Sequence, residues 1–162
     1  MSIRLLLTGG TIDKRYNAHN GKLDFDTSHI ESALQQGRCT ATVSIEPLML
    51  KDSLEMTAAD REQILAACRA SRETQLVITH GTDTLADTAR TLAAAGLDKT
   101  IVLTGAMIPF IMKDSDGLFN LGGALTAVQC LAPGVYIAIN GEVFDADNAV
   151  KNLEALRFER VR

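Results

Sequence analysis

Two rhythms of apolar and polar positions alternate along this chain. Runs of strand character occupy Ile3 to Thr8, Thr40 to Glu46, Gln75 to Thr79, Thr100 to Thr104 and Val135 to Asn140, with helix-spaced stretches between them. Ser28-His29-Ile30-Glu31 has the spacing of a capping box and opens a short helix that stops at Gly37. Thr57 caps a second helix, Ala58 to Ala70, with Asp60 and Glu62 in its first turn, where the dipole favours acids. Further helices are expected from about Thr84 to Ala95, closed by Gly96, and from Gly117 to Leu131, before the Pro133-Gly134 turn. Pro109 breaks the loop between them. The tail from Val143 to Arg162 has the weakest pattern, and Asn148 to Phe158 reads as helical. Strands alternating with helices predict a single α/β domain of three layers, a flavodoxin-like, mostly parallel sheet with helices on both faces.

Three of the apolar runs end in threonine and glycine: Leu5-Leu6-Leu7-Thr8-Gly9-Gly10-Thr11, Leu76-Val77-Ile78-Thr79-His80-Gly81-Thr82-Asp83 and Ile101-Val102-Leu103-Thr104-Gly105. In an open parallel sheet the carboxyl ends of the strands share one edge. These endings therefore bring hydroxyls, close-approaching backbone and one carboxylate to a common crevice.

Composition narrows the chemistry. A chain of 162 residues buries roughly 70% of its unfolded surface as one domain, enough for a core without disulfides. Cys39, Cys68 and Cys130 are odd in number, far apart and outside C-x-x-C spacing, which reads as reduced, cytoplasmic and structural. The apolar start, Met1 to Leu7, is too short for a signal peptide, and no run reaches the ~18 apolar residues of a membrane span. A net charge of −4 and a pI of about 5.3, with no block of like charges, disfavour nucleic acid and anionic lipid as partners. A small-molecule substrate is expected instead. His19, His29 and His80 have no metal spacing, and neither a metal nor a cofactor is assigned. G-x-x-x-x-G-K-[ST], G-x-G-x-x-G and G-x-S-x-G are all missing.

Taken singly, each remaining feature has an ordinary reading. Gly9-Gly10 turns the chain and Thr11 caps it locally; Asp83 complements a helix dipole; His80 is a satisfied, partly buried histidine; Lys151 is a surface lysine.

The combination says more. Thr8-Gly9-Gly10-Thr11-Ile12, His80-Gly81-Thr82-Asp83-Thr84, Gly105-Ala106-Met107 with Pro109, and Asp116-Gly117-Leu118-Phe119-Asn120-Leu121 follow one another from Leu5 to about Lys151. In that order they closely resemble the bacterial L-asparaginase/glutaminase family in its amino-terminal, catalytic domain. The resemblance implies hydrolysis of the asparagine side-chain amide to aspartate and ammonia, with some activity on glutamine. It implies a mixed sheet with a rare left-handed crossover, and a homo-oligomer, dimer or tetramer, with sites near subunit interfaces. By motif, Thr11 matches the nucleophile, and Tyr16 falls in the segment that supplies the catalytic tyrosine. Thr82 and Asp83 match the second threonine and the aspartate that holds the α-amino group. Lys151 matches the family lysine, and Ser53, in Asp52-Ser53-Leu54, matches the serine that holds the α-carboxylate. Gly10, Asp52, Gly81 and Ala106 complete the implied substrate contacts.

An amide needs a nucleophile, a place for the developing oxyanion and a proton for departing ammonia. Lysine and tyrosine ordinarily ionise near pH 10. A hydrogen-bonded relay through Thr82, Lys151 and Asp83 is therefore expected, rather than one dominant base. Tyr16, in the polar Asp13 to Gly21 segment, is expected to act as a lid over Thr11. The helix start after Gly81 offers backbone N–H groups to the oxyanion.

Three departures accompany the resemblance. Members usually carry a second domain after a linker, whereas residues 1–162 read as the catalytic domain alone, as in short-chain bacterial asparaginases. Leu54 stands where relatives have a polar residue near the substrate amine, and Ile108 replaces the usual arginine before Pro109. The alternatives are an amino-acid-binding module that keeps the fold without turnover, and the amidase part of a tRNA-dependent amidotransferase.

Overall fold

Apolar runs without a polar face have to be covered on both sides, and this sets the layering. The computed structural model describes residues 2–161. In chain order these form β1 (Ser2–Gly9), a 3₁₀ turn (Thr11–Asp13), β2 (Arg15–Asn17), β3 (Lys22–Asp24), α1 (Ile30–Gln36) and β4 (Thr42–Lys51). A second 3₁₀ turn (Ser53–Glu55) leads to α2 (Ala58–Ala70), β5 (Gln75–Thr79), α3 (Leu85–Ala94), β6 (Thr100–Thr104), α4 (Gly117–Cys130) and β7 (Gly134–Ile139). The chain then adds β8 (Glu142–Asp145), β9 (Val150–Asn152) and β10 (Arg157–Glu159).

The sheet order is β4-β1-β5-β6-β7-β8, parallel except for β8, which runs antiparallel to β7. Leu5, Val77 and Val102 align across the strands and face α1 and α4; Leu6, Ile78 and Leu103, one residue on, face α2 and α3. The expected three layers with helices on both faces are thus present.

The two helix pairs also fix the hand of the connections. The step from β1 to β4 goes toward one edge with α1 on the first face. The steps β4 to β5 and β5 to β6 go the other way with α2 and α3 on the second face. Reversing both direction and face preserves hand, so these three share the right-handed sense that such crossovers favour. The step β6 to β7 keeps the direction but puts α4 on the first face, and is left-handed.

Local expectations fail in three places, each for a tertiary reason. β4 continues through Pro47 to Lys51 rather than stopping at Glu46, because it is an edge strand, where a missing N–H is tolerated. Ser28 does not form the capping box: its hydroxyl donates to the buried Asp13 carboxylate (2.9 Å) and accepts from Ile30 N–H (3.2 Å), and His29 becomes the N-cap. Thr57 and Asp60, by contrast, do form a reciprocal box at the start of α2.

Asn148 to Phe158 is not a helix. It contains the antiparallel hairpin of β9 and β10, in which Lys151 faces Phe158. Asn152 Oδ1 collects the N–H groups of Glu154 and Ala155, Leu156 turns at φ 50°, and Phe158 is buried in the core. A burial of this kind predicts that Phe158→Ala lowers unfolding stability by about 3–5 kcal/mol, measured by urea titration. A loss below about 1 kcal/mol would mean the hairpin is not docked.

Candidate active site

The carboxyl ends of β1, β5 and β6 meet backbone to backbone. Gly10, at φ 77°, lies so close to the β5 turn that a Cβ on it would sit 2.3 Å from Gly81 N. A Cβ on Gly81 would in turn sit 2.6 Å from Ser53 Oγ. Only glycine allows either approach, and together they bring the Thr11 turn, the Thr82 turn and the Ser53 turn to one point.

The strand-end threonines do not share in this crevice as expected. Thr8 Oγ donates to the Thr79 carbonyl and Thr104 Oγ to the Ala138 carbonyl, each at 2.7 Å, and Thr8, Thr79 and Thr104 are all buried. The Thr8 and Thr104 hydroxyls tie neighbouring strands together, whereas the buried Thr79 hydroxyl has no hydrogen-bond partner among the described residues. The hydroxyls left for chemistry are those beyond the glycines, Thr11 and Thr82.

Lys151, Thr82 and Asp83 converge. The Lys151 ammonium donates to Thr82 Oγ1 at 2.8 Å and to Asp83 Oδ1 at 2.6 Å. Thr82 is buried, and its own hydroxyl proton points to the sulfur of Met107, at 3.7 Å. Lys151 is 69 residues from Thr82 in the chain, and a run of hydrogen bonds places it. Asn120, buried at the start of α4, donates to the Gly105 carbonyl (2.9 Å) and accepts from Asn140 N–H (3.0 Å). The Asn140 side chain then takes Phe158 N–H (2.8 Å), and Phe158 is the strand partner of Lys151. Beside this group opens a cleft of about 360 Å³ walled by Ala86, Val150 and Phe158. A larger groove of about 600 Å³ runs along α4 and β8, but it is mainly apolar, and Glu142 is its one charged lining residue. Thr82, Asp83 and Lys151 line the smaller cleft, together with Asp87 and Arg90.

Thr11 opens the first 3₁₀ turn, half-buried, between Gly10 and the buried Ile12. Tyr16 is exposed on the hairpin of β2 and β3, and among the described residues no hydrogen bond joins it to Thr11. Ser53 is buried, its hydroxyl accepting from Thr84 N–H (3.3 Å) and its carbonyl from Thr84 Oγ1 (2.9 Å). The Asp52 carboxylate is already engaged: Oδ1 accepts from Leu54 N–H and Oδ2 from Lys14 at 2.5 Å. That lysine holds the Asp52 carboxyl below the usual range. Ala106 is buried, and the next two N–H groups, of Met107 and Ile108, go to Asp116 at 3.0 Å. Leu54 and Ile108 are exposed.

The sequence alone assigns no role to Lys14, Asn140, Asp116 or Asn120. Asp116 and Asn120 belong to the D-G-x-x-N-L motif, which signals them without saying why. Lys14 and Asn140 carry no local signal at all.

His80 is fully rather than partly buried, with Nδ1 2.7 Å from the Gly81 carbonyl oxygen and Nε2 2.8 Å from Thr88 Oγ1. Burial pushes its pKa down to about 4, so it braces the turn as a neutral ring. Of the cysteines, only Cys68 is buried, its thiol pushed up to about 12 by burial; Cys39 and Cys130 are exposed and lack the packed role expected of them. Among the described residues no group of three or more His, Cys, Asp or Glu side chains is placed to hold a metal ion, and no helix is long and apolar enough to cross a membrane.

Residues 2–159 match the family model described as Asparaginase, N-terminal. The chain is 31% identical to L-asparaginase 2 of Escherichia coli, across 93% of this chain and 46% of that protein. It is 36% identical to the 60 kDa lysophospholipase of Homo sapiens, across 84% of this chain and 24% of that one. The solved thermostable L-asparaginase from Thermococcus kodakarensis superposes with a TM-score of 0.86 at 28% identity, covering 99% of this chain and 51% of that one. The chain thus spans about half or less of the length of the proteins it matches.

The neutral, buried state of His80 makes stability depend on pH. Its folded value of about 4 lies below the ordinary histidine value of 6.5, so the unfolded chain binds the extra proton in between, and stability falls as pH drops through that window. From pH 7 to pH 5 the loss from this group is about 2 kcal/mol. His80→Gln should flatten that part of the profile in urea titrations, and an unchanged profile would contradict a buried neutral ring.

Proposed function

The chain belongs to the asparaginase family, in its N-terminal domain, and from that premise we propose that it hydrolyses the side-chain amide of L-asparagine to aspartate and ammonia. The observation that carries this is the Lys151 ammonium shared between Thr82 and Asp83, beside a Thr11 turn seated on Gly81. One half of that set offers a nucleophile, and the other a hydrogen-bonded route for protons and a carboxylate for an ammonium.

In the proposed reaction Thr11 Oγ attacks the amide carbon and its proton passes to the departing nitrogen. Ammonia leaves, and a β-aspartyl ester forms on Thr11. Water then attacks the ester, aspartate is released, and a proton from that water restores the Thr11 hydroxyl. Thr82 suits the relay because Lys151 occupies its oxygen while its own proton has only a weak acceptor in the Met107 sulfur. Tyr16 closes over Thr11 on binding, which its position on an exposed hairpin allows. Asp83, on the rim of the cleft, reads the substrate ammonium, and the Ser53 turn with neighbouring backbone N–H groups reads the carboxylate. Glutamine is expected to be a poorer substrate, and assembly into a dimer or tetramer belongs to the same reading.

Three measurements test it. Purified protein should release ammonia from free L-asparagine equally before and after chelation; folded protein without turnover at millimolar asparagine would point to an amino-acid-binding module. Rapid quench and peptide mass spectrometry should find the aspartyl ester on Thr11 and lose it in Thr11→Ala, whereas Thr82→Val slows its formation and its breakdown together. An adduct on Thr82 would reverse the two roles.

Asp83→Asn removes a charge-assisted contact worth about 1.5–3 kcal/mol. It should cost about 10- to 100-fold in kcat/KM for asparagine, and less for an amide lacking the α-amino group. Equal losses on both substrates would place Asp83 in the proton relay instead.

A further inference from the structure

Residues 14–27 form the stem, strands and tip of the Tyr16 hairpin, and their polar groups are spent almost wholly on one another. Arg15 pairs with Asp26 (2.6 Å), Asn17 and Asn20 both donate to Asp24, and Gly21 N–H returns to the Asn17 carbonyl. Among the described residues, one hydrogen-bonded ion pair leaves this segment for the body of the molecule: Lys14 to Asp52, at 2.5 Å. It is also the better shielded of the hairpin's two ion pairs. The Lys14 and Asp52 side chains are 16% and 31% exposed, against 50% and 57% for Arg15 and Asp26. Lys14 further stacks over Phe25, with Nζ 5.5 Å from the ring centroid, so the residue after β3 helps hold the ammonium that β2 leans on. Its N–H bonds to the Thr11 carbonyl.

We infer that Lys14 is a positioning residue: with Asp52 it forms a latch that fixes the stem of the hairpin, and so Tyr16, against the turn that carries Ser53. The inference rests on the asparaginase reading above for its effect on turnover, but not for its effect on the hairpin. The two sides of the latch are unequally secured. Ser53 is held independently by Thr84 and by its contact with Gly81, and Asp52 caps its own turn through Leu54 N–H. Among the described residues the hairpin has no second ion pair to the body; its base is otherwise held by the Lys14 N–H bond to the Thr11 carbonyl and by Asp13, which accepts from Ser28 and from His29 N–H. Breaking the latch therefore loosens the Tyr16 side and leaves the carboxylate-reading side in place. Turnover should suffer more than substrate affinity.

Lys14→Met keeps the aliphatic stem and deletes the charge; Asp52→Asn keeps the cap on Leu54 and deletes the charge. Each should raise amide hydrogen exchange across residues 15–24 while leaving Ser53 to Glu55 unchanged. Each should lower kcat about tenfold or more with KM altered less than about threefold. The double variant should be no worse than either single one, because both break the same pair. Lys14→Arg should restore most of kcat. Unchanged exchange in both single variants overturns the latch. Raised exchange with wild-type kcat overturns its part in turnover. If the unmodified protein releases no ammonia, the asparaginase reading fails, and the exchange measurement alone still decides whether the latch exists.

Discussion

Everything in the site depends on how closely three turns can approach at the carboxyl edge of the sheet. With Gly10 on the backbone of Gly81 and Gly81 on the side chain of Ser53, the separations are smaller than any side chain permits. The Thr11, Thr82 and Ser53 turns are therefore in fixed mutual register before any side-chain contact is counted. Parallel pairing of β1, β5 and β6 sets the heights at which those turns emerge, and the glycines set their distance.

Around that junction the polar groups divide their labour. Hydroxyls at the strand ends bind the strands to each other, and a buried neutral imidazole braces the β5 turn from beneath. Lys151 is delivered from the far end of the chain by a run of bonds from Gly105 through Asn120 and Asn140 to Phe158. The left-handed step from β6 to β7 is part of this, since it puts α4 on the face where Asn120 reaches the turn after β6 and the turn after β7 together. A right-handed step would carry α4, and Asn120 with it, to the opposite face.

Two ion pairs flank the junction, Lys14 with Asp52 and Lys151 with Asp83, and they are near enough that Asp52 also feels Lys151. On the proposed reading such a set of charges would face a zwitterionic substrate, with an ammonium and a carboxylate a few ångströms apart. It also keeps each lysine compensated in a setting where an unpaired one would be costly to bury.

By itself the sequence determined the alternation of strands and helices, the three layers, and the two glycine-bounded threonine turns. It did so because continuous apolar runs admit few packings and because glycine at a turn is a local steric statement. The family motifs made Thr11, Thr82, Asp83 and Ser53 legible as candidates on the same local grounds. Tertiary structure decided the rest. Asn148 to Phe158 has helix-compatible spacing yet folds as a hairpin, since burying Phe158 and satisfying its N–H with Asn140 outweighs a weak local preference. The strand expected to end at Glu46 runs on through Pro47 because β4 is an edge. Ser28 has the spacing of a cap, but a buried carboxylate from another turn competes for its hydroxyl. Lys14 looks like any solvated lysine and Lys151 is singled out by the family resemblance alone; what distinguishes both physically is a partner 38 residues away in one case and 69 in the other. No periodicity records such distances, because they are set by the closure of the whole sheet.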